Sequence, residues 1–166
     1  VLLVMTREKL LAANWKLNLP GEGIAAYCAA MRGRPHSSFD LVLSPPHPFL
    51  DTLVRESKEG GEGFAVASQN SSQHDSGAFT GEVSARMVAG LGARYAIVGH
   101  SERRTIFGET DEMIGQKLSK AADAGLIPIF CVGESQETRD AGNTLDWLHR
   151  QVTTGMAVAS RSFSRL

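Results

Sequence analysis

Tyr95-Ala96-Ile97-Val98-Gly99-His100-Ser101-Glu102-Arg103-Arg104 is the stretch on which the fold turns. Its first four residues form an unbroken apolar and aromatic run, the pattern of a strand buried on both faces in a parallel sheet. Gly99 breaks the run, and His100 stands where the strand ends. Ser101 is placed to cap a short helix, with Glu102 favoured in its first turn. A histidine is thus held at the C-terminal end of a strand and beside a helix N-terminus, where α/β proteins carry their chemistry. The helix N-terminus disfavours imidazolium, so the neutral ring is a donor poised near physiological pH. The plainer alternative is a loop histidine whose hydrogen bonds are satisfied locally.

The same unit repeats on both sides of this stretch. Upstream, strands are expected at Lys9–Ala13, Asp40–Ser44 and Phe64–Ser68, with helices over Ile24–Met31 and from Pro48 to Ser57. Loops are expected at 33–38 and 58–63, and a long polar one from Gln69 to Gly81 that is functional or an interface element. Ser84 caps a helix ending at Gly92, with Met87, Val88 and Leu91 on its apolar face. Downstream, Thr110 caps a helix lined by Ile114, Leu118, Ala121 and Ala122 and ended by Gly125. A fifth apolar strand follows from Leu126 to Val132, then a helix capped by Asn143 and bearing Leu145, Leu148 and Val152. Five βα units mean a parallel sheet covered by helices, either an open doubly wound sheet or an unfinished barrel.

Composition narrows the function classes. The 166 residues are 42% hydrophobic and 21% charged, ordinary for a soluble globular domain. A net charge of −1 gives no bulk attraction to nucleic acid or anionic membrane. No apolar run approaches the ~18 residues of a membrane span. Val1–Met5 has no signal-peptide pattern, and Met5 is a candidate start. Cys28 and Cys131 each sit in apolar sequence and read as buried thiols of a reduced, cytoplasmic compartment. His36, His47, His74 and His149 lack metal-ligand spacing, and no phosphate-binding, dinucleotide or nucleophile-elbow motif is present.

Polar residues collect at the strand ends. Asn14 and Lys16 follow the first strand, Gln69 and Asn70 the third, and His100 the fourth. All lie on one rim of a parallel sheet, where a lysine can meet an anionic substrate as a point charge. Taken singly, Lys16 is a solvated strand end and Asn14 a turn former. Glu82 and Glu134 read as structural or solvated carboxylates, and Glu102 as a group that orients a neighbour. Arg103, Arg104 and Glu109 read as a charge network.

At these residues the chain resembles the triosephosphate isomerase family. Asn14-Trp15-Lys16-Leu17-Asn18 is similar to its first-strand motif. Gln69-Asn70 and Gly77-Ala78-Phe79-Thr80-Gly81-Glu82 are similar to its third-strand and interface-loop motifs. Val98 to Arg104 looks like its electrophile motif, continued by Phe107-Gly108-Glu109, and Gly125 to Glu134 like its fifth strand. The resemblance implies an α/β fold of the (β/α)8 TIM-barrel kind, incomplete here with about five parallel strands and their helices. The partial barrel is placed over residues 5–159 and an irregular tail over 160–166. The implied activity is interconversion of dihydroxyacetone phosphate and glyceraldehyde 3-phosphate through an enediolate, in glycolysis and gluconeogenesis. The family works without a cofactor or metal, in the cytoplasm, and commonly as a homodimer. By the same resemblance His100 is the neutral electrophile and Lys16 supplies positive charge. Asn14 positions the substrate together with Lys16, and Glu102 acts through its neighbours. Gln69, Asn70 and Thr80 belong to the interface region, and Arg103 pairs with Glu109.

The departures are specific. The family's base is a glutamate in a Tyr-Glu-Pro-Val-Trp-like segment after a sixth strand, and nothing here matches it. The closing loop and the later glycine-rich phosphate loops are likewise without a match. A full barrel takes ~250 residues. The expectation is therefore a shortened gene product or fragment, inactive alone. The alternative is a non-catalytic half-barrel that self-associates or aggregates through its open edges.

Overall fold

The computed structural model describes residues 9–31, 39–59 and 63–163. Its elements run β1 (Leu10–Asn14), α1 (Ile24–Met31), β2 (Asp40–Ser44), a 3-10 turn (His47–Phe49), α2 (Leu50–Glu59) and β3 (Ala65–Ser68). They continue with α3 (Ala85–Leu91), β4 (Tyr95–Val98), α4 (Ser101–Thr105), α5 (Asp111–Asp123), β5 (Ile127–Phe130), α6 (Gln136–Asp140) and α7 (Thr144–Phe163). All strand pairs are parallel, and their spatial order is the chain order β1-β2-β3-β4-β5. A doubly wound sheet reverses direction part-way so that helices cover both faces. Here every right-handed crossover steps the same way, which puts the helices on one side and curls the sheet. The choice left open by the sequence is thereby settled in favour of a half-barrel.

The period-2 alternation of the strands sorts their side chains onto two faces. Leu41, Leu43, Val66, Ala96 and Val98 pack outward into the helix layer, against Leu50, Leu53, Val88, Ile114 and Leu118. Val42, Ala67 and Tyr95, with Ala65 and Ile129, form a smaller cluster on the inner face. Since all five strands point the same way, their C-terminal ends share one rim. The register pairs Asn14 with Ser44 and Ser68 with Ala96.

Several expectations are corrected. On α3 the buried residues are Ala85 and Val88, while Met87 and Leu91 are exposed. On α7, over 144–159 where burial is described, the buried positions are Gln151, Gly155 and Ala159, one every fourth residue, and Leu145 and Val152 face outward. The apolar pattern singled out the larger side chains, whereas a close helix contact selects small ones. β5 is shorter than expected and only partly buried, because it is a sheet edge. β1, at the other edge, leaves Leu10 and Leu11 exposed. The backbone from 160 to 163 continues α7 rather than forming an irregular tail. Residues 5–8, the expected loop at 33–38 with His36, positions 60–62 and the last three residues lie outside the described residues.

The contact of α5 with α7 carries a prediction. A Cβ on Gly115 would stand 2.7 Å from Val158 Cβ and 2.9 Å from the Gly155 carbonyl oxygen. Glycine inside a helix is unfavourable by itself, so its place here reflects this close approach. Gly115→Ala should destabilise the fold by about 1–3 kcal/mol through overpacking, despite alanine's better helix propensity. Urea denaturation checks it; an unchanged midpoint would show that the two helices do not meet at this point.

Candidate active site

The rim of the sheet holds an open cavity of about 450 Å³ lined, among others, by Asn14, Lys16, Gln69, Asn70, His100 and Glu102. Each is set there by a local feature. Gly99, at φ +75°, turns the chain out of β4; a Cβ there would lie 3.0 Å from Ile114 Cγ2 and 3.2 Å from Arg104 Nη2. Arg104 holds the turn from beneath. It donates to the Gly99 carbonyl at 2.8 Å, to Asp111 at 2.5 Å and to the Cys131 carbonyl at 3.1 Å.

His100, not Ser101, caps α4. Its Nδ1 accepts the Glu102 backbone N–H at 3.2 Å, and Ser101 is the first helical residue. That bond requires a lone pair on Nδ1, so the ring is neutral with its proton on Nε2. The Glu102 carboxylate lies 3.6 Å from the same Nδ1, beyond hydrogen-bond reach.

Lys16 has positive φ (+51°), alone among the described non-glycine residues. Such a conformation costs on the order of 1–3 kcal/mol and persists only where neighbours enforce it. Asn14 Oδ1 accepts the Lys16 N–H at 2.9 Å, and Gln69 Nε2 donates to the Lys16 carbonyl at 2.9 Å and to that of Ser44 at 3.0 Å. Asn14 is therefore both a turn former and a lining residue. The Lys16 ammonium reaches Glu102 Oε1 at 2.7 Å. The hydrogen bond from Lys16, joined by the charge of its ammonium, holds the Glu102 carboxyl below its ordinary value. A depressed folded value means that the pair is intact above the pH at which a free glutamate titrates and is lost as pH falls through the lowered value. Lys16→Met should return the Glu102 titration upward toward the ordinary glutamate range. Carbon-13 NMR of the carboxyl reads this directly, and an unmoved titration would remove Lys16 as its cause.

Beneath this cavity lies a second charged cluster. Glu109 Oε1 accepts from Arg103 Nε at 2.7 Å and from Lys117 Nζ at 2.5 Å. Lys117, 2% exposed, also donates to Asn70 Oδ1 at 2.9 Å. Arg103 pairs with Glu109 as expected, but Arg104 belongs to the separate Gly99–Asp111 set. Glu134 is tied to Arg139 at 2.9 Å, and neither cysteine is in a disulfide. Burial pushes the Cys131 thiol's pKa up.

The structure thus gathers Asn14, Lys16, Gln69, Asn70, His100 and Glu102, while Thr80 stands exposed on the loop outside the cavity. Sequence reasoning missed Lys117 and His47, which also lines the cavity. Lys117 was findable, since it falls three residues after Ile114 and one before Leu118 on the apolar stripe of α5. His47 follows the C-terminal end of β2, the same criterion that selected the others.

Among the described residues, no group of three or more His, Cys, Asp or Glu is placed to hold a metal ion. Likewise among them, no helix is long and apolar enough to cross a membrane. A neutral imidazole and an ammonium at one opening can together stabilise an oxyanion that develops between them.

The family model for triosephosphate isomerase matches residues 9–165. The triosephosphate isomerase of Alcanivorax borkumensis is 46% identical over 140 residues, covering 84% of this chain and 55% of that protein. That of Colwellia psychrerythraea is 42% identical over 151 residues, covering 89% and 59%. That of Rubrobacter xylanophilus is 43% identical over 149 residues, covering 88% and 57%. The chain spans a little over half the length of these relatives. Motif order, strand order and these likenesses agree: the chain belongs to the triosephosphate isomerase family.

Proposed function

We propose that this chain carries the electrophilic side of a triose-phosphate isomerase centre, for the interconversion of dihydroxyacetone phosphate and glyceraldehyde 3-phosphate. The observation that supports it is the meeting of His100, Lys16 and Glu102 at one cavity, with His100 Nδ1 committed to its cap. In this reading His100 Nε2–H polarises the substrate carbonyl, and Lys16 leaves Glu102 to meet the phosphate ester and the growing enediolate charge. Asn14 positions the substrate. A neutral ring can pass a proton between the two enediolate oxygens without a large change of charge. The carbon-bound proton goes to a carboxylate from outside these residues, and the scheme calls for no cofactor. The place is the cytoplasm, in glycolysis and gluconeogenesis. Phosphate titrated into isotope-labelled chain should shift the Lys16 and His100 signals. Unmoved signals at both residues, up to tens of millimolar, would sink the reading.

We also propose self-association as a homodimer. Leu17 is 95% exposed beside the site, and Phe79, Ile106 and Phe107 are exposed on neighbouring segments. Leu17 and Phe107 line the same cavity, and large apolar side chains left exposed together at one rim suit an interface. The second reading, association through open sheet edges, is favoured by exposed Leu10, Leu11 and Ile127. Sedimentation separates the two: Leu17→Asp disperses a rim dimer, whereas Leu11→Lys with Ile127→Lys disperses an edge-paired assembly. A wild-type chain that stays monomeric at high concentration would exclude both.

A further inference from the structure

We infer that His47 is a positioning residue for Lys16, acting through the Gln69–Asn70 turn; this rests on the proposed role of Lys16 at the cavity. His47 Nε2 lies 2.9 Å from the carbonyl oxygen of Asn70, 23 positions away in sequence. A carbonyl only accepts, so the proton of this bond belongs to Nε2. Asn70 is thereby held from two sides, its carbonyl by His47 after β2 and its side chain by the buried ammonium of Lys117 on α5. The residue before it, Gln69, is the one whose amide bonds the Lys16 carbonyl.

The connection runs His47 to Asn70 to Gln69 to Lys16, across the ends of β2, β3 and β1. Each link is a short hydrogen bond to a main-chain oxygen, apart from the peptide bond joining Gln69 to Asn70. Main-chain links matter here because the left-handed conformation of Lys16 is unfavourable for a residue with a side chain, so it relaxes when its clamp loosens. Half-buried His47 is also part of the cavity wall, so the brace stands at the site itself. The 3-10 turn fixes the imidazole: Pro46 precedes it, Pro48 follows, and the Leu50 N–H closes on the His47 carbonyl. Two flanking prolines leave little backbone freedom for the ring to swing away.

Two variants of the full chain test this. His47→Phe keeps a ring of similar size and removes the donor; His47→Gln restores an N–H donor on a side chain of comparable reach. The direct readout is amide hydrogen exchange at Lys16, whose N–H is bonded to Asn14 Oδ1. His47→Phe should speed exchange at Lys16 by about tenfold, the size expected for one lost hydrogen bond. The amides of α5 should stay at wild-type rates, and His47→Gln should recover most of the Lys16 protection. Uniform acceleration throughout the chain, or no change at Lys16, would overturn the inference, since the first describes a general loss of stability and the second an idle contact. Inorganic phosphate binding is measured alongside. Phosphate binding lost in wild type as well would count against the triose-phosphate reading, while the exchange result would still decide the role of His47.

Discussion

Purified alone and given glyceraldehyde 3-phosphate, the 166-residue chain is expected to turn over at least ~100-fold and up to ~10,000-fold below the ~10 s⁻¹ of an ordinary enzyme. That range is what a positioned general base contributes, and no carboxylate of the described site is placed for the work. Glu102 is bound to Lys16 at 2.7 Å and held below its ordinary pKa by that contact, which makes it a poorer base. Glu82 lines the cavity from the exposed loop without an element to orient it. A coupled assay following dihydroxyacetone phosphate measures the rate. Turnover at ordinary rates would show that one of these two carboxylates takes the proton, and Glu102→Gln and Glu82→Gln would then identify it.

The second large effect concerns stability. Lys117→Met should destabilise the fold by about 3–5 kcal/mol, the usual consequence of leaving a buried charge without its partner. The stranded group is Glu109, 6% exposed, with Arg103 its remaining cation. The same change strips Asn70 of its side-chain partner, so the damage reaches the cavity rim. Against a typical total of about 5–15 kcal/mol, a loss of this size leaves a marginal protein. The double variant Lys117→Met with Glu109→Gln should recover part of it, since the carboxylate is then neutral. Thermal and urea denaturation of the wild type and both variants measure this. A single variant as stable as wild type would show that Arg103 alone suffices for Glu109.

The architecture was legible because continuous apolar runs ended by glycine or proline are unambiguous at Asp40–Ser44 and Tyr95–Val98. What the runs do not encode is strand order, and hence the choice between the open and curled sheets. The cavity residues were readable from one rule, that polar groups at strand ends share a rim. The rule gives the rim but not the partners. It could not show that His100 would cap its own helix, displacing Ser101, or that Arg104 would part from Glu109 to brace Gly99. Those depend on three-dimensional distances across β4, α4 and α5. On α7 the apolar pattern misled for a simple reason. The face that packs is chosen by how near two helices come, and there Gly155 and Ala159 fit where Leu145 and Val152 do not.

The sequential strand order also bears on synthesis. Within the described sheet, every new strand pairs with the one made just before it, and no earlier strand waits for a later one to be inserted beside it. A nascent chain emerging at about 5–20 residues per second can add βα units one after another as each clears the ribosome. Pairing between neighbours in the chain keeps loop closures short and the search fast. The growing edge, and not the finished interior, is then the surface that needs protection while translation proceeds.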